Sequence, residues 1–426
     1  MTKLQPPKGT RDFYPDDMAR HQFLLDAWRR VSVRNGFEQV EGPTFETLEL
    51  YKVKSGDGIV SELFSFRRDN GKTDFALRPE FTPTLARMVA ARANSLPRPV
   101  RWFCTPNACR AERPQRGRLR EFWQWNVDLL GLDGPAADAE VVFCLLDFLQ
   151  EVGLKAEHAK VKLSHRDVVA QVLGGLGLAA ERTDDAFKLL DARDKMEADA
   201  FAAKAAELGL DAAAVARFTE VSGRTYAVRD LDALTTDLGL DAPPAGLAEL
   251  VRQLDAFGVA DWCEIDLGIV RGLAYYTGTV FEVHETGGKS RALAGGGRYD
   301  KLIELFGGPA LPAVGFGMGD VVLGNLLDDL GLWPDGLTPR PDAFVFAVDD
   351  AGADRVPGLV AGLRRAGRHA RFSHKTTRNV GKLLKDAEKA RARFAVLVGG
   401  DTLEVKDLAD GTQAAVASGN LADAVA

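Results

Sequence analysis

Three clusters of arginine, glycine and tyrosine mark where this chain could do chemistry. They are RAERPQRGR (110–118), RGLAYYTG (271–278) and GGGRYD (295–300). None is a Walker loop ending in Gly-Lys-Ser/Thr or a GxGxxG dinucleotide fingerprint. Arginine forks bind two phosphate oxygens at once and stay charged at any physiological pH. Surface salt bridges could explain a few of these arginines, but not why they occur in the same motifs as glycines and paired tyrosines. We therefore expect a phosphate-binding site, with Arg110 holding a nucleotide phosphate.

The strand predicted at 119–130 divides its side chains between two faces, because side chains alternate along a strand. The apolar face carries Trp123, Trp125, Val127 and Leu129. The other face carries Phe122, Gln124, Asn126 and Asp128. An antiparallel sheet that is packed on one side can present such a polar face as the floor of a binding site. The alternative is a polar face that is only hydrated.

The elements around this strand predict an α+β domain built on an antiparallel sheet, which we assign to residues 1–330. Helices are predicted at 16–35, 82–94 and 138–152, and strands at 37–40, around Leu77, and at 99–105, 264–267, 275–284, 291–294 and 314–318. The three glycines at 295–297 are predicted to lead into a helix. The Ala- and Leu-rich stretch from about 166 to 257 has helical periodicity, which predicts an all-helical insertion.

A change of pattern follows the segment GLWPDGLTPRP (331–341), which carries three prolines and is predicted to be a linker. Beyond it, from 342 to 426, strands are predicted at 343–348, 369–372 and 394–398, and helices at 353–366 and 378–392. This alternation is the βαβ pattern of a small α/β domain with a largely parallel sheet.

The charge distribution is uneven along this acidic chain, whose formal net charge is −7. The segment 110–120 contains five arginines and one acidic residue, Glu112. Twelve lysines and arginines between 355 and 393 stand against Asp386 and Glu388. Concentrated basic segments in an acidic protein indicate a polyanion bound at two places. The alternative is that each segment is a solvated helix face.

The composition excludes several classes of protein. Hydrophobic residues make up 46% and charged residues 27%, as in ordinary globular proteins. No apolar run reaches the roughly 18 residues of a membrane helix, and the first residues lack a signal-peptide core, so we expect a cytoplasmic protein without a membrane partner. Four cysteines are too few for a disulfide framework, and Cys104 and Cys109 alone do not make a zinc pattern. No metal site is predicted.

The motifs together resemble those of the histidyl-tRNA synthetases, a family of class II aminoacyl-tRNA synthetases. KGTRDFYP (8–15) is similar to the family's opening, and the segment ending at Pro43 resembles motif 1, which builds the dimer interface. RPEFT (78–82) and FCTPNACRAERPQRGRLREFWQWNVD (103–128) resemble its histidine loop and motif 2. RGLAYYTGTVFE (271–282) and GGGRYD (295–300) resemble its two histidine signatures. The resemblance covers nearly the whole chain, including an anticodon-binding domain after residue 341.

The resemblance implies ATP-dependent activation of L-histidine to histidyl-adenylate and transfer to the 3′ end of tRNA(His), by a homodimer that uses Mg²⁺ on the ATP phosphates. Arg110 and Arg271 would be the catalytic residues, Arg110 on the α-phosphate and Arg271 beside the reacting carboxylate. ATP would be bound by Arg110, Glu112, Arg118 and Arg271. Histidine would be bound by Glu80, Thr82, Gln124, Asp128, Tyr275 and Tyr276, with Asp128 and Tyr276 at the imidazole. tRNA would be bound by Arg113, Arg116, Arg120, Lys375, Arg378 and Lys382.

Three positions depart from the family pattern. Val322 stands where motif 3 usually has an arginine that meets the γ-phosphate, a contact of about 1.5–3 kcal/mol. Arg118 or Arg298 could partly compensate for that loss. Ala274 stands where Asp is usual, and Asp128 where Glu is common, so the shorter acid would reach the ring less far.

Two other classes of function remain open from sequence. One is a catalytically silent synthetase paralogue that regulates ATP phosphoribosyltransferase in histidine biosynthesis. The other is an RNA-binding module with an inactive core. Regulators of the first kind usually lack the anticodon domain and have degraded histidine signatures. This chain keeps the domain and most of both signatures.

Overall fold

The computed structural model describes residues 4–55, 57–193, 196–270, 276–288 and 291–426. The chain forms two compact units, which divide between Pro334 and Asp335. Among the described residues, no helix is both long enough and apolar enough to cross a bilayer.

The first unit contains twelve of the described helices and thirteen of the described strands. The helices are α1 Pro15–Arg34, α2 Leu48–Ser55, α3 Thr82–Arg92, α4 Pro135–Glu151, α5 Arg166–Gly175, α6 Thr183–Asp191, α7 Ala198–Glu207, α8 Ala212–Ser222, α9 Leu231–Leu238, α10 Ala245–Ala256, α11 Leu302–Leu305 and α12 Asp320–Leu330. The strands are β1 Glu38–Gln39, β2 Phe45–Thr47, β3 Ser65–Arg67, β4 Asp74–Leu77, β5 Val100–Cys104, β6 Asn107–Cys109, β7 Glu121–Leu130, β8 Ala159–His165, β9 Thr225–Ala227, β10 Cys263–Asp266, β11 Thr279–Glu285, β12 Ala294–Arg298 and β13 Ala313–Gly319.

Ten of these strands form one sheet in the order β1-β5-β7-β13-β12-β11-β8-β10-β9, with β6 paired to β7. All neighbours are antiparallel except β1 with β5 and β8 with β10. A second, three-stranded sheet has the order β2-β4-β3. The antiparallel α+β architecture predicted from sequence is confirmed.

The two-faced character predicted for β7 is also confirmed. Trp125, Val127 and Leu129 are fully buried in the core that α1 and α4 share with the sheet. The Trp125 ring lies 6.2 Å from that of Trp28 on α1 and 5.1 Å from that of Phe148 on α4, measured between centroids. The indole N–H of Trp125 donates to Ser32 Oγ at 2.9 Å. The opposite face of β7 carries Phe122, Gln124, Asn126 and Asp128, which line a cavity.

Two predictions about the strands are wrong. The strand predicted at 291–294 is misplaced, because Gly295–Gly297 lie within β12 and helix α11 begins only at Leu302. A Cβ on Gly296 would fall 2.3 Å from the Gly315 carbonyl oxygen. Glycine is used there because neighbouring backbones approach too closely for a side chain. The insertion is not all-helical either, since β9 pairs Tyr226 with Ile265 of β10. A three-residue strand is too short to show period-two alternation. Sequence periodicity also missed β8.

The second unit is the small α/β domain expected from sequence. Its elements are β14 Ala343–Ala347, α13 Asp350–Arg365, β15 Ala370–Phe372, α14 Val380–Lys389, β16 Phe394–Val398, β17 Leu403–Asp407, β18 Gln413–Ala415 and α15 Leu421–Ala424. The sheet order is β15-β14-β16-β17-β18, with the first three strands parallel and the last two antiparallel. Helices α13 and α14 pack against opposite faces of this sheet, which explains why β14 and β16 are buried throughout.

Candidate active site

A cleft of about 680 Å³ lies on the open face of β7. It brings together residues that are remote in the chain, from the start of α3, the loop after β6, and strands β7, β11, β12 and β13. Of the residues predicted from sequence to form a site, those that line it are Glu80, Thr82, Arg110, Arg118, Gln124, Asp128 and Tyr276. A single cavity therefore holds both the arginine cluster and the polar face of β7.

Glycines of β13 form the floor of this cleft. Gly315 pairs with Asp128 across the sheet, and Gly317 pairs with Asn126. A Cβ on Gly315 would lie 2.4 Å from Asp128 Oδ1, and one on Gly317 would lie 2.8 Å from Gln124 Nε2. The polar side chains of β7 therefore lie across a neighbouring strand that carries no side chains at these positions.

Asp128 is a buried carboxylate at the deep end of the cleft. It accepts a short hydrogen bond from the Tyr299 hydroxyl. Burial raises the pKa of Asp128 to about 7, although the Tyr299 hydrogen bond acts in the opposite direction. Tyr276 is buried in the same cluster of side chains as Tyr299. A carboxyl group that titrates near neutrality, with two tyrosines near it, suits recognition of a ring that carries N–H groups.

Glu80 is held by a lysine that sequence reasoning missed. The Lys54 ammonium donates to both carboxylate oxygens of Glu80, at 2.7 Å each. Only 1% of the Lys54 side chain is exposed, against 21% for Glu80. Nothing in the local pattern of α2 distinguishes Lys54 from its surface neighbour Lys52, so only the tertiary contact identifies it.

Arg110 provides positive charge at the other end of the cleft. Its Nε donates to the Pro79 carbonyl oxygen at 3.1 Å, and its guanidinium lies 5.1 Å from the centroid of the Phe122 ring. These two contacts orient the guanidinium. No carboxylate of the described residues forms an ion pair with it, so its charge is available to an anionic ligand.

Two other sequence-predicted residues, Glu112 and Arg118, lie beside Arg110. Arg118 Nε lies 2.7 Å from Glu112 Oε2. Arg118 lines the cleft, whereas Glu112 is not among the lining residues. The loop between them closes through reciprocal backbone hydrogen bonds of Gln115 and Arg118, at 3.0 and 2.9 Å. Gly117 has a φ of 77° in this loop, a conformation that favours glycine.

Arg298 does not line the cleft, which corrects the idea that it could replace an arginine at Val322. It is buried, and its Nη2 lies 2.6 Å from Asp138 Oδ1 and 2.9 Å from the Gly134 carbonyl oxygen. Its Nη1 pairs with Asp300 at 3.1 Å. This guanidinium is fully engaged in holding β12 to the start of α4.

Three further side chains that sequence reasoning did not select line the cleft. Glu282 and His284 of β11 lie 2.9 Å apart, between Oε2 and Nε2. Arg291 lies just before β12. The predicted residues Arg271 and Tyr275, with Ala274 between them, lie outside the described residues.

The basic residues predicted to bind tRNA divide into engaged and exposed ones. Arg116 pairs with Asp329 at 2.7 Å while staying largely exposed, and Arg113 is exposed. Arg120 instead donates to the carbonyl oxygens of Glu112 and Lys8, at 3.1 and 3.4 Å, and so braces the start of the chain.

The basic cluster of the second unit is partly structural. Four of its arginines donate to backbone carbonyls within the domain, namely Arg355, Arg364, Arg368 and Arg393. Lys375 pairs with Asp386 at 2.7 Å and Arg378 with Asp350 at 3.0 Å. The exposed members include Arg365, Arg371, Lys382, Lys385 and Lys389. Three of these lie on α14, whose opposite side buries Leu383 and Ala387.

Known proteins match this chain over most of its length. The family model for histidyl-tRNA synthetase matches residues 9–319. The chain belongs to the histidyl-tRNA synthetase family. It is 41% identical over 409 residues to a histidine–tRNA ligase of Opitutus terrae, covering 95% of this chain and 92% of that protein. It is 40% identical over 411 residues to a histidine–tRNA ligase of Halobacterium salinarum, covering 95% and 91%.

Solved structures share the fold of this histidyl-tRNA synthetase family member. The histidyl-tRNA synthetase of a Nostoc species superposes with a TM-score of 0.81 at 24% identity, covering 100% of this chain and 99% of that one. A Bacillus halodurans protein described as an ATP phosphoribosyltransferase regulatory subunit/histidyl-tRNA synthetase superposes at 0.75 with 22% identity, covering 94% and 99%. At such identities the likeness shows the fold alone. The ligases that are about 40% identical favour the enzyme over the regulatory paralogue.

Proposed function

We propose that this chain activates L-histidine with ATP and transfers the histidyl group to the 3′ end of tRNA(His). The observation that carries the proposal is one cleft with arginines at one end and a buried Asp–Tyr group at the other. The arginine end suits the phosphates of ATP, and the deep end suits an imidazole. The two substrates would meet between Arg110 and Gln124.

The chemistry needs no nucleophilic side chain. A carboxylate oxygen of histidine attacks the α-phosphorus and forms an O–P bond, and the P–O bond to the departing pyrophosphate breaks. The chain contributes alignment of the reactants and positive charge where negative charge develops. Arg110 and Arg271 are assigned to that charge. Mg²⁺ would enter on the phosphates of ATP, bound mostly by phosphate oxygens and water, since Mg²⁺ gives up its hydration shell reluctantly.

Glu80, Thr82 and Gln124 are assigned to the amino group of histidine. The buried Lys54 fixes both oxygens of Glu80, so the carboxylate is oriented before the substrate arrives. Asp128 and Tyr276, with Tyr275, are assigned to the ring. Such a site rejects amino acids that would leave these buried polar groups without a partner.

The direct test is histidine-dependent ATP–pyrophosphate exchange by the purified chain, followed by charging of tRNA(His) transcripts. We expect exchange with histidine and none with the other amino acids. A silent regulatory paralogue or an RNA-binding module with an inactive core would give no exchange above background, which would refute the proposal.

The pKa of Asp128 leads to a prediction for histidine binding. An ionised carboxylate accepts a stronger hydrogen bond from a ring N–H than a protonated one does. Because the pKa of Asp128 lies at about 7, the KM for histidine should fall roughly tenfold between pH 6 and pH 8, as the carboxylate loses its proton. Steady-state exchange across this range measures the effect.

The matched control is Asp128→Asn, which keeps the size of the side chain and removes its titration. We expect a raised KM for histidine, an unchanged KM for ATP, and a nearly flat pH profile that reports only the titration of free histidine. A KM that rises with pH in the wild-type chain would show that the site prefers the imidazolium, contrary to this assignment.

We also propose that the chain forms a homodimer through an exposed aromatic patch on the small β2-β4-β3 sheet. Phe45, Phe66 and Phe75 contact one another there, with ring centroids 5.7–5.8 Å apart. Phe45 is 48% and Phe66 41% exposed. Contiguous exposed apolar surface of this kind marks an interaction site. The patch follows the segment that resembles motif 1, with which the family builds its dimer.

Replacing both exposed rings with charge should therefore separate the subunits. We expect the Phe45→Asp, Phe66→Asp double variant to be monomeric at micromolar concentration in sedimentation or light scattering, and the wild-type chain to be dimeric. Phe257→Asp, which changes a phenylalanine that is also 41% exposed but lies at the end of α10, should leave the dimer intact. A double variant that stays dimeric would place the interface elsewhere.

We assign the second unit and the loop at 113–120 to tRNA, and place the enzyme in the cytoplasm. The exposed lysines of α14 support this assignment, because lysine side chains bind the phosphates of an RNA backbone independently of its sequence. All four cysteines are free thiols in the structure, as expected for a reducing compartment.

A further inference from the structure

The wall of the cleft beside Gly117 is formed from two directions by unlike side chains. Val322, in the first turn of α12, places its Cγ2 methyl 3.2 Å from the position that a Cβ on Gly117 would occupy. Arg291, before β12, places its Cδ 4.0 Å from the same position. The apolar side chain and the stem of the arginine thus converge on one point of the arginine-rich loop. Both residues line the cleft.

The charges around this point are nearly all positive. Arg110 and Arg118 line the cleft beside Arg291. Burial lowers the pKa of the Arg291 guanidinium, as do the charges of Arg118 and Arg110, while Glu112 raises it. Glu112 is already paired with Arg118. No carboxylate of the described residues forms an ion pair with Arg291. Like charges held close together are costly until an anion joins them, so this end of the cleft is built for a ligand with several negative charges.

We infer that Arg291 binds the terminal phosphates of ATP and then the departing pyrophosphate, supplying from the segment before β12 the positive charge that α12 lacks at Val322. This inference rests on the proposed function. When the bond between the α-phosphorus and the bridging oxygen breaks, its electron pair moves onto the pyrophosphate. The Arg291 guanidinium stabilises that charge and transfers no proton. The alternatives are less suitable, because Arg298 is buried in its ion pair with Asp138 and Arg118 is engaged with Glu112.

The test distinguishes binding of the distal phosphates from binding of the rest of the nucleotide. Arg291→Ala should raise the KM for ATP in the exchange reaction, and the KM for pyrophosphate, by roughly tenfold each, the loss of one charged contact. The KM for histidine and the inhibition constant of AMP, which lacks the distal phosphates, should stay unchanged. A merely structural role would weaken histidine and AMP as well. Arg291→Lys should keep part of the effect, since it retains the charge but not the fork.

A second variant tests whether an arginine at position 322 can replace Arg291. Adding Val322→Arg to Arg291→Ala should restore the KM for ATP, because the new guanidinium would approach the same point beside Gly117 from α12. Arg252→Ala, which removes an exposed arginine of α10 that pairs with Glu249, is the control for loss of a charge and should match wild type.

The outcomes distinguish this inference from the proposed function. If wild-type enzyme shows no histidine-dependent exchange, the proposed function fails. If wild-type exchange is normal and Arg291→Ala leaves the KM values for ATP and pyrophosphate unchanged, the function stands and the role of Arg291 is refuted.

Discussion

Replacing Arg110 by alanine is expected to lower histidine-dependent ATP–pyrophosphate exchange by about a hundred- to a thousandfold, the usual effect of removing one preorganised group that stabilises transition-state charge. The backbone of Pro79 and the ring of Phe122 already hold this guanidinium in place, and none of the described carboxylates neutralises it. Its interaction should therefore be strongest when charge builds on the α-phosphate. The loss should fall mainly on kcat, with a smaller rise in the KM for ATP.

Two further variants sharpen this prediction. Arg110→Lys keeps the charge but loses the fork and the hydrogen bond from Nε, so it should recover only part of the activity. Arg271→Ala, at the arginine predicted from sequence, should lower exchange by at least about tenfold. Near-normal exchange in both alanine variants would refute catalysis by arginine charge in this cleft.

Removing the second unit is expected to separate the two half-reactions. A chain that ends at Pro334 retains every described residue of the cleft together with the cores of the first unit. Exchange should stay within a few-fold of the full chain. Charging at low tRNA concentration should fall on the order of a hundredfold, which corresponds to the loss of two contacts that each contribute about tenfold to tRNA affinity. Exchange and charging assays on the same preparation give the ratio directly.

Charge reversal on α14 tests the same assignment in the intact chain. Lys382→Glu, Lys385→Glu and Lys389→Glu change only exposed positions and leave the buried Leu383 and Ala387 in place. The triple variant should bind tRNA more weakly, with a shallower dependence on salt, because fewer counterions are released. A variant that charges tRNA normally at low concentration and keeps the wild-type salt dependence would show that these lysines only solvate the helix.

Local patterns were enough to predict much of this molecule. Alternation along β7 identified both its packed face and the face that lines the cleft, because period two follows directly from strand geometry. Helices α1, α3 and α13 begin or end within a few residues of their predicted bounds, since proline, acidic residues and glycine mark such ends. The two-residue and three-residue strands carry too little pattern to be detected in this way.

The pairings within the site could not be predicted from local sequence, because each joins distant segments. Lys54 and Glu80 are 26 residues apart, and Tyr299 and Asp128 are 171 apart. Arg298 shows the opposite error. Its glycine-rich motif predicts ligand binding, yet its guanidinium is buried against Asp138. Residue type and spacing identify candidates, whereas burial and counter-charge decide which of them meet a ligand.

The glycine floor constrains how amino acid specificity could be altered. Gly315 and Gly317 are already at the smallest possible size, so no substitution on β13 can enlarge the space above them. Every change there makes the pocket smaller by pushing Asp128 or Gln124 aside. A synthetase engineered from this scaffold for a bulkier histidine analogue must therefore gain its room from β7 or from the tyrosines, at the cost of the groups that recognise the ring.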